Sequence, residues 1–386
     1  MAIEHIGTSN PLTAKAWSKK LSVEVSKALD ISKIMGKSND SILQIKTEIS
    51  KGKGDKVTFG LRHQLRGAGV TEREILEGNE EATAHSYDSL ELNELRHASR
   101  LYAEDSIVQK RVHFNLRQEA LDGLKDWFAD RLSLMFFLHV CGYTGPSTLF
   151  EGELVNIRPV HFGFNRPTAP TKNSNWIIIG NKEREADLTA SDTFNLRVID
   201  VAVERAKLAN PKLRPINIDG GKYYVMYLHP QQVTALRTNT EAGQWLDIQK
   251  AAYSGSKAKN PIFDGSLGVY NGVVLRESEH VTTGIGLNNE YLPHVRRAVL
   301  LGAQAAVIGF GLRDGNRYKI DEEFFDYKNQ LGVACKTLIG MKKVTFDGKD
   351  YGTIVVSTYV NDALPEKVKA IHDDSAIEVK SIKKKA

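Results

Sequence analysis

The stretch from Phe114 to Val140, FNLRQEALDGLKDWFADRLSLMFFLHV, carries an uninterrupted helical pattern. Its apolar residues recur at spacings of three and four, the period of one helix face: Leu116, Ala120, Leu124, Phe128, Leu132 and Met135. The other face holds Arg117, Glu119, Asp122, Lys125, Asp126 and Arg131, which predicts a solvated, charge-paired surface. Gly142 follows as a typical helix end. We predict one helix of roughly 39 Å, far longer than the average globular helix.

Two alternating runs lie upstream of this helix. Leu43, Ile45, Thr47 and Ile49 form the first run; Val57, Phe59, Leu61 and Leu65 form the second. The segment 51–55 between them is a glycine-rich turn, so the pattern predicts antiparallel strands with one apolar face. After a polar, acidic excursion from Gly67 to Thr83, we expect a return strand from Tyr87 to Leu101. Leu95 is out of phase with Leu90 and Leu92, which indicates a bulge or twist. The sequence therefore predicts a long hairpin-like arm.

The first forty residues have few apolar side chains. Trp17, Leu21, Val25 and Leu29 fall at helical spacing and predict a short amphipathic helix. The segment has too little apolar surface for a core of its own, so we expect it to lie against a larger body.

The second half reads as mixed α/β. We predict a helix over 194–209, a buried strand over 223–228, a helix beginning at Pro230, a short helix around 245–252, a buried helix over 295–308 and a closing hairpin around Asp347-Gly348. Four of the eleven prolines fall between Pro146 and Pro170, whereas no proline occurs from Leu12 to Gly145. The proline-rich segment 145–176 is therefore expected to be a loop-rich excursion.

Composition and motifs disfavour several classes of protein. A net charge of +5 over 386 residues is low for a dedicated DNA reader. Two cysteines, Cys141 and Cys335, cannot build a disulfide framework or a four-thiolate zinc site. The sequence has no Walker, HExxH or G-x-S-x-G motif, and its histidines are scattered. We expect no catalytic residues, no metal, no cofactor, no secretory signal and no membrane span.

A series of motifs resembles the major capsid proteins of tailed bacteriophages, the family typified by coliphage N-four. The motifs follow the family's order and are 67–70 (GAGV), 76–81 (LEGNEE), 96–98 (RHA), 124–132, 219–221 (DGG), 229–230 (HP), 245–250 (WLDIQK), 260–263 (NPIF), 268–274, 300–305 and 340–343. The resemblance as a whole covers the chain from about Pro11 to Tyr359; segment 145–176 is matched least well, and the tail after Asp362 is not matched.

The resemblance implies an α+β chain of the Hong Kong 97 type. It implies an N-terminal arm over 1–42, an extended β-hairpin loop over 43–102 and a peripheral domain with a long spine helix over 103–215. A mainly axial domain over 216–340 and a return hairpin with a C-terminal tail over 341–386 would complete the chain.

In function, the resemblance implies an icosahedral virion shell of homo-pentamers and homo-hexamers around packaged double-stranded DNA. A portal protein at one vertex is implied, and whether a decoration protein binds stays open. Because the region that resembles the family begins near residue 11, we expect no fused scaffolding domain and therefore a separate scaffolding protein. Two alternatives stay open: an encapsulin-like compartment shell, which shares the fold, and a soluble oligomeric α/β enzyme.

The predicted arm would be only marginally stable alone. We therefore expect a neighbouring subunit to cover its apolar face, in head-to-tail contacts that close into rings. The candidate inter-subunit residues are charged: Arg62, Arg66, Glu72, Arg73, Glu74, Glu77, Glu80, Glu81 and Arg96. Simple solubility is the competing explanation for each of them.

Overall fold

The computed structural model describes residues 25, 31–46, 55–62, 65, 67–104, 106–150, 153–218, 220–238, 266–312 and 317–361. The predictions for Trp17, Leu21, Leu29, the turn 51–54 and the helix at 245–252 lie outside these residues. The α-helices are α1 (Ile107–Arg111), α2 (Leu116–Val140), α3 (Leu196–Leu208) and α4 (Pro230–Thr238). None of the described helices has both the length and the apolar character needed to cross a membrane.

The strands of the described residues are β1 (Met35–Gly36), β2 (Leu43–Lys46), β3 (Lys56–Arg62), β4 (His85–Glu91), β5 (Asn93–Tyr102), β6 (Ser147–Phe150), β7 (Glu153–Asn156), β8 (Trp176–Ile178), β9 (Ile216–Ile218), β10 (Gly221–Leu228), β11 (Gly268–Tyr270), β12 (Val273–Glu277), β13 (Thr283–Ile285), β14 (Tyr291–Leu301), β15 (Ala306–Phe310), β16 (Lys319–Phe325), β17 (Gln330–Lys343), β18 (Thr345–Phe346), β19 (Lys349–Asp350) and β20 (Thr353–Tyr359).

A six-stranded sheet packs against the long helix α2. Its order is β1-β2-β15-β17-β16, and β5 pairs with β17 beside that path. Strand β17 alternates buried and half-buried residues along most of its length, because one face of the sheet meets α2 and the other does not. The ring of His97 on β5 stacks on Trp127 of α2, with 4.2 Å between ring centroids.

Helix α2 confirms the predicted long helix. Asn115 caps its start by accepting hydrogen bonds from the amides of Arg117 and Gln118. In the predicted apolar stripe Leu124, Phe128, Leu132 and Met135 are buried, whereas Leu116 and Ala120 are half-buried.

The predicted charged face of α2 is wrong in the second half of the helix. Arg131 is buried and lies over the ring of Trp127, and every residue from 131 to 140 is buried. Two apolar clusters enclose this half: the main core on one side, and on the other a cluster built on Leu134, Leu138 and Tyr143. A helix that is surrounded on all sides shows no single apolar stripe.

An eight-stranded sheet forms the second layer, in the order β11-β12-β10-β14-β20-β8, with β9 beside β10 and β13 beside β14. Helix α3 covers one face and buries the predicted residues Leu196, Ile199, Val203 and Ala206. Strand β10 and the start of α4 at Pro230 match their predictions.

The buried helix predicted over 295–308 is wrong. This run contains most of β14 and the start of β15, which belong to different sheets. Strand β14 is buried between β10 and β20, so its apolar run lacks the alternation of a half-buried strand and resembles a buried helix. The chain passes between the sheets at Gly302, where a Cβ would lie 2.5 Å from the carbonyl oxygen of Arg214.

The first strand of the predicted arm lies elsewhere. β2 pairs in parallel with β1 and β15, not with β3, and Leu43 is buried in the main core. An alternating run fits any half-buried strand, so its period could not identify its partner. The return strand divides at Leu92: β4 pairs with β3, and β5 pairs with β17. The predicted bulge is not found at Leu95, whose pairing with Thr337 continues the regular register of β5; the return strand instead changes sheet at Leu92.

The closing Asp347-Gly348 turn is confirmed, with positive φ at both residues, but it joins only the two short strands β18 and β19. Strand β20 instead pairs with β14 and β8. The domain boundaries given above stay predictions.

Candidate assembly surface

The extended arm, defined here as β3, β4 and the segment 63–84 between them, is attached to the body at its base. The side-chain amide of Asn165 accepts a hydrogen bond from the amide of Glu91 at 3.0 Å and donates to its carbonyl oxygen at 2.9 Å. Lys342 forms an ion pair with Asp88, whose other carboxylate oxygen accepts from the amide of Thr345 at 3.1 Å. These contacts fix the direction in which the arm leaves the two sheets.

The chain's own residues cover the apolar face of the β3–β4 ribbon. Leu90 is fully buried with Phe346 and Tyr351, and Phe59 and Leu61 pack against the same cluster. The rings of Phe59 and Phe346 meet edge to face at 6.2 Å. The expectation that this face needs a neighbouring subunit is therefore wrong, because β18 and β19 supply the second layer.

Two adjacent apolar side chains are exposed in the tip segment, residues 67–84; other exposed apolar side chains, such as Leu65 and Tyr87, lie outside it. Ile75 is 74% exposed and Leu76 is 58% exposed. Local hydrogen bonds shape this segment: Glu74 accepts from the amide of Thr71 at 3.0 Å, and Glu80 accepts from the amide of Gly78 at 2.7 Å. Adjacent exposed side chains of this size on an acidic loop form a surface suited to another molecule.

The structure brings six of the predicted site residues together in the tip segment, all of them exposed: Glu72, Arg73, Glu74, Glu77, Glu80 and Glu81. Glu81 accepts a hydrogen bond from the amide of Gly67 at 2.5 Å. Within the described part of the chain, Glu72, Arg73 and Glu77 form no ion pair.

The remaining predicted site residues are separate from this group. The side chain of Arg62 and the whole of Arg66 lie outside the described residues. Arg96 is on β5 in the six-stranded sheet, where it is exposed and lies 3.6 Å from Glu94. The role of all nine residues in contacts between subunits stays a prediction.

A buried ion pair joins the end of α2 to the eight-stranded sheet, and the sequence reasoning missed it. Arg297 of β14 contacts both carboxylate oxygens of Glu185 at 2.7 Å. Glu185 also accepts from the hydroxyl of Ser357 at 2.6 Å and from the amide of Ile285 at 2.7 Å. Arg297 donates to the carbonyl oxygen of Gly142 at 2.8 Å. No local sequence pattern links residues 112 positions apart.

A second buried pair fixes the proline-rich segment 145–176 to the body. Lys343 lies 2.7 Å from Asp350 and donates to the carbonyl oxygen of Thr168 at 3.0 Å. Asp350 also accepts from the amide of Thr171 at 3.0 Å. Burial lowers the pKa of Lys343, and the facing carboxylate of Asp350 opposes that shift.

Burial also perturbs several histidines and both cysteines. It lowers the pKa of His139 to about 4 and that of His229 to about 3. It raises the pKa of the Cys141 thiol and raises that of Cys335 to about 12. These groups are therefore uncharged at neutral pH. His139 and both cysteines are buried in the core, whereas His229 is half-buried. Among the described residues, no three His, Cys, Asp or Glu side chains form a group that could hold a metal ion.

Comparison with known proteins shows which family has this architecture. The family model described as phage capsid protein matches residues 5–362. The major capsid protein of Pseudomonas phage KPP25 is 27% identical over 367 residues, which cover 89% of this chain and 94% of that one. The capsid of Ralstonia phage GP4 superposes with a TM-score of 0.78 at 30% identity, covering 94% of this chain and 100% of that chain. The capsid of cyanophage Pam1, with a TM-score of 0.63 at 18% identity over 86% of this chain and 92% of that chain, shares the fold.

Two sheets around a long helix, with an extended arm, are the Hong Kong 97-type capsid fold implied by the motifs. The chain belongs to the phage capsid protein family. Within that family its function is that of a major capsid protein of a tailed phage, a structural subunit of the virion.

Proposed function

We propose that this chain assembles as homo-pentamers and homo-hexamers into the icosahedral head that encloses double-stranded DNA, and that the tip segment of each arm packs on a neighbouring subunit. The observation that carries the proposal is the exposure of Ile75 and Leu76 at the tip of an arm whose base is firmly attached. A head-to-tail contact joins different surfaces of two copies, and an attached arm with an exposed apolar tip offers one such surface.

The charged residues of the tip segment would then lie at the rim of that contact. Each exposed ion pair contributes about 0–1 kcal/mol, so the glutamates would determine the orientation of the tip more than its affinity. Burial of Ile75 and Leu76 would supply most of the favourable free energy, at roughly 1.5–3 kcal/mol for each fully buried side chain.

The wider set of partners is also a proposal. It comprises a portal protein at one vertex, a separate scaffolding protein and non-specific contact with DNA. The ten lysines against six acidic residues from Met1 to Lys56 favour contact of that segment with DNA or with a scaffolding protein. We further infer a structural role without catalysis, which membership of a capsid protein family supports.

The test compares the natural protein with the Ile75→Ser/Leu76→Ser variant by sedimentation and negative-stain electron microscopy. We expect the natural protein to form rings or shells and the variant to sediment mainly as single subunits with an unchanged circular dichroism spectrum. Leu287→Ser is the matched control, because Leu287 is comparably exposed at 64% but lies outside the arm. A variant that assembles as well as the natural protein would contradict the proposal.

A further inference from the structure

A groove with a volume of about 820 Å³ lies between the edge strand β8 and the outer face of α3. Within the described residues β8 is the last strand of its sheet, so its outer edge pairs with no other strand. Ile177 of β8 and Val198 and Val201 of α3 contribute apolar surface to the groove. Val201 is 37% exposed on α3, whereas Leu196, Ile199 and Val203 of the same helix are buried.

The charged side chains that line this groove are cationic, and one largely buried carboxylate, that of Asp192, lies behind the lining beside Gly180 and Lys182. Lys182, Arg197 and Arg205 line it, and no Asp or Glu is among its described lining residues. None of the three cations forms an ion pair with a described residue, although Arg205 donates to the carbonyl oxygen of Asn173. Three cations around an apolar floor form a surface complementary to an acidic segment that carries apolar side chains.

The tip segment has that composition. It presents Ile75 and Leu76 as adjacent exposed apolar side chains, with Glu72, Glu74, Glu77, Glu80 and Glu81 around them. Both surfaces are exposed in a single chain, so both are available to a second copy. We propose that the groove between β8 and α3 receives the tip segment of a second copy of this chain. Ile75 and Leu76 would contact Ile177 and Val201, and the glutamates would face Lys182 and Arg197.

This assignment rests on the proposed function, in which the tip segment packs on a neighbour, and it names the receiving surface. The contact is heterologous, because the tip of one copy enters the groove of the next. Repetition of such a contact closes into a ring when the rotation between copies allows it.

Cysteine cross-linking tests the contact directly. The Leu76→Cys/Val201→Cys variant would be assembled, mildly oxidised and run on a non-reducing gel; the natural cysteines Cys141 and Cys335 are both buried. We expect a ladder of cross-linked species up to the ring size. Leu76→Cys/Leu208→Cys is the matched control, because Leu208 is exposed on the same helix but does not line the groove. A ladder of equal strength in the control, or no ladder in assembled particles of the test variant, would overturn the assignment.

Charge reversal gives a second, independent readout. We expect Arg197→Glu to lower the yield of assembled particles by at least about tenfold, because it places like charges in contact across the groove. Adding Glu77→Arg in the same chain should restore part of the yield. Lys207→Glu, which makes the same change on α3 outside the groove, should leave the yield within about twofold of the natural protein.

The two proposals fail in different ways. If the Ile75→Ser/Leu76→Ser variant still builds shells, the proposed function of the tip is wrong. If assembly needs Ile75 and Leu76 but neither the cross-link nor the Arg197→Glu effect is found, the tip docks on another surface and only the groove assignment is wrong.

Discussion

Arg297 and Glu185 form a two-bonded ion pair in which Nη2 lies 2.7 Å from Oε2 and Nε lies 2.7 Å from Oε1. Both side chains are at most 2% exposed. The pair connects β14 to the loop before α3, and Arg297 also binds the backbone where α2 ends. This contact therefore links the end of the long helix to the eight-stranded sheet.

Removing one charge of this pair should destabilise the subunit severely. Glu185→Gln leaves the guanidinium of Arg297 buried without its counter-charge, so we expect the free energy of unfolding to fall by about 3–5 kcal/mol. Denaturant titration at one fixed protein concentration measures the loss. Asp321→Asn is the control: it removes two half-exposed ion pairs, with Lys319 at 3.0 Å and with Lys336 at 3.5 Å, and should cost about 0–1 kcal/mol. A loss below about 1 kcal/mol for Glu185→Gln would contradict the structural role of the pair.

The end of α2 should be sensitive to the presence of a Cβ. Gly142 has a φ of +60°, and a Cβ there would lie 2.7 Å from Cδ of Pro170 and from the carbonyl oxygen of Thr168. We expect Gly142→Ala to lower the free energy of unfolding by about 1–3 kcal/mol through backbone strain and displacement of the proline-rich segment. Thermal unfolding would measure the change.

Gly123→Ala is the matched control, because Gly123 lies inside α2 and the added Cβ would meet no atom within 4 Å apart from the neighbouring backbone of its own helix. It should stabilise the protein by roughly 0.5–1 kcal/mol, the helix propensity difference between glycine and alanine. Equal effects at the two positions would show that the close approach at Gly142 is not what matters.

The arm should loosen without unfolding the body when its anchor is removed. Asn165→Ala deletes both hydrogen bonds to the backbone of Glu91. Hydrogen exchange should then accelerate by about tenfold, for a loss near 1.4 kcal/mol, in β3 and β4 and remain unchanged in α2. Asn329→Ala, which removes only a hydrogen bond to Asp326 in an exposed turn, should leave β3 and β4 unaffected. Uniform acceleration across the chain would contradict a local anchor.

A decrease in pH should lower the free energy of unfolding of the subunit through the buried side chain of His139. The pKa of His139 is about 4 in the folded protein and 6.5 as a free side chain, because burial disfavours the charged ring. Between these values the unfolded chain binds more protons, so the free energy of unfolding falls as the pH decreases from 6.5 toward 4. His139 alone should contribute a loss of about 2 kcal/mol by pH 5.

The His139→Gln variant isolates this contribution. Its amide can still donate to the carbonyl oxygen of Phe162, which the histidine Nε2 contacts at 2.8 Å, but it does not titrate. Denaturant titrations at pH 7 and pH 5 should show a smaller pH dependence in the variant. An identical dependence in both proteins would assign the acid sensitivity to other groups.

The local elements with a clear period were predictable from sequence. The stripe from Leu124 to Met135 predicted α2, and the four apolar residues of α3 predicted its buried face. The overall architecture was predictable from the family motifs and not from the hydrophobic periodicity. The periodicity indicates single helices and strands, whereas the order of the motifs indicates how the elements are arranged. The same motifs gave the function of the chain.

Two features could not be predicted from the sequence: which strands pair with each other, and which segments are buried on both faces. The run from Leu43 to Ile49 has the period of a strand, but that period does not distinguish pairing with β3 from pairing with β15. The run over 295–308 is buried on both faces, which removes the alternation that separates a strand from a helix. Of the candidate site, the sequence indicates the glutamates of the tip segment and places Leu76 in the family motif 76–81, but it does not predict that Ile75 and Leu76 are exposed.

A cryo-electron microscopy reconstruction of particles assembled from the purified chain tests the central claim most directly. We expect a closed shell of five- and six-membered rings in which Ile75 and Leu76 of each subunit are buried on an adjacent copy. A small discrete oligomer, or subunits whose arm tips stay exposed or fold back onto their own bodies, would contradict it.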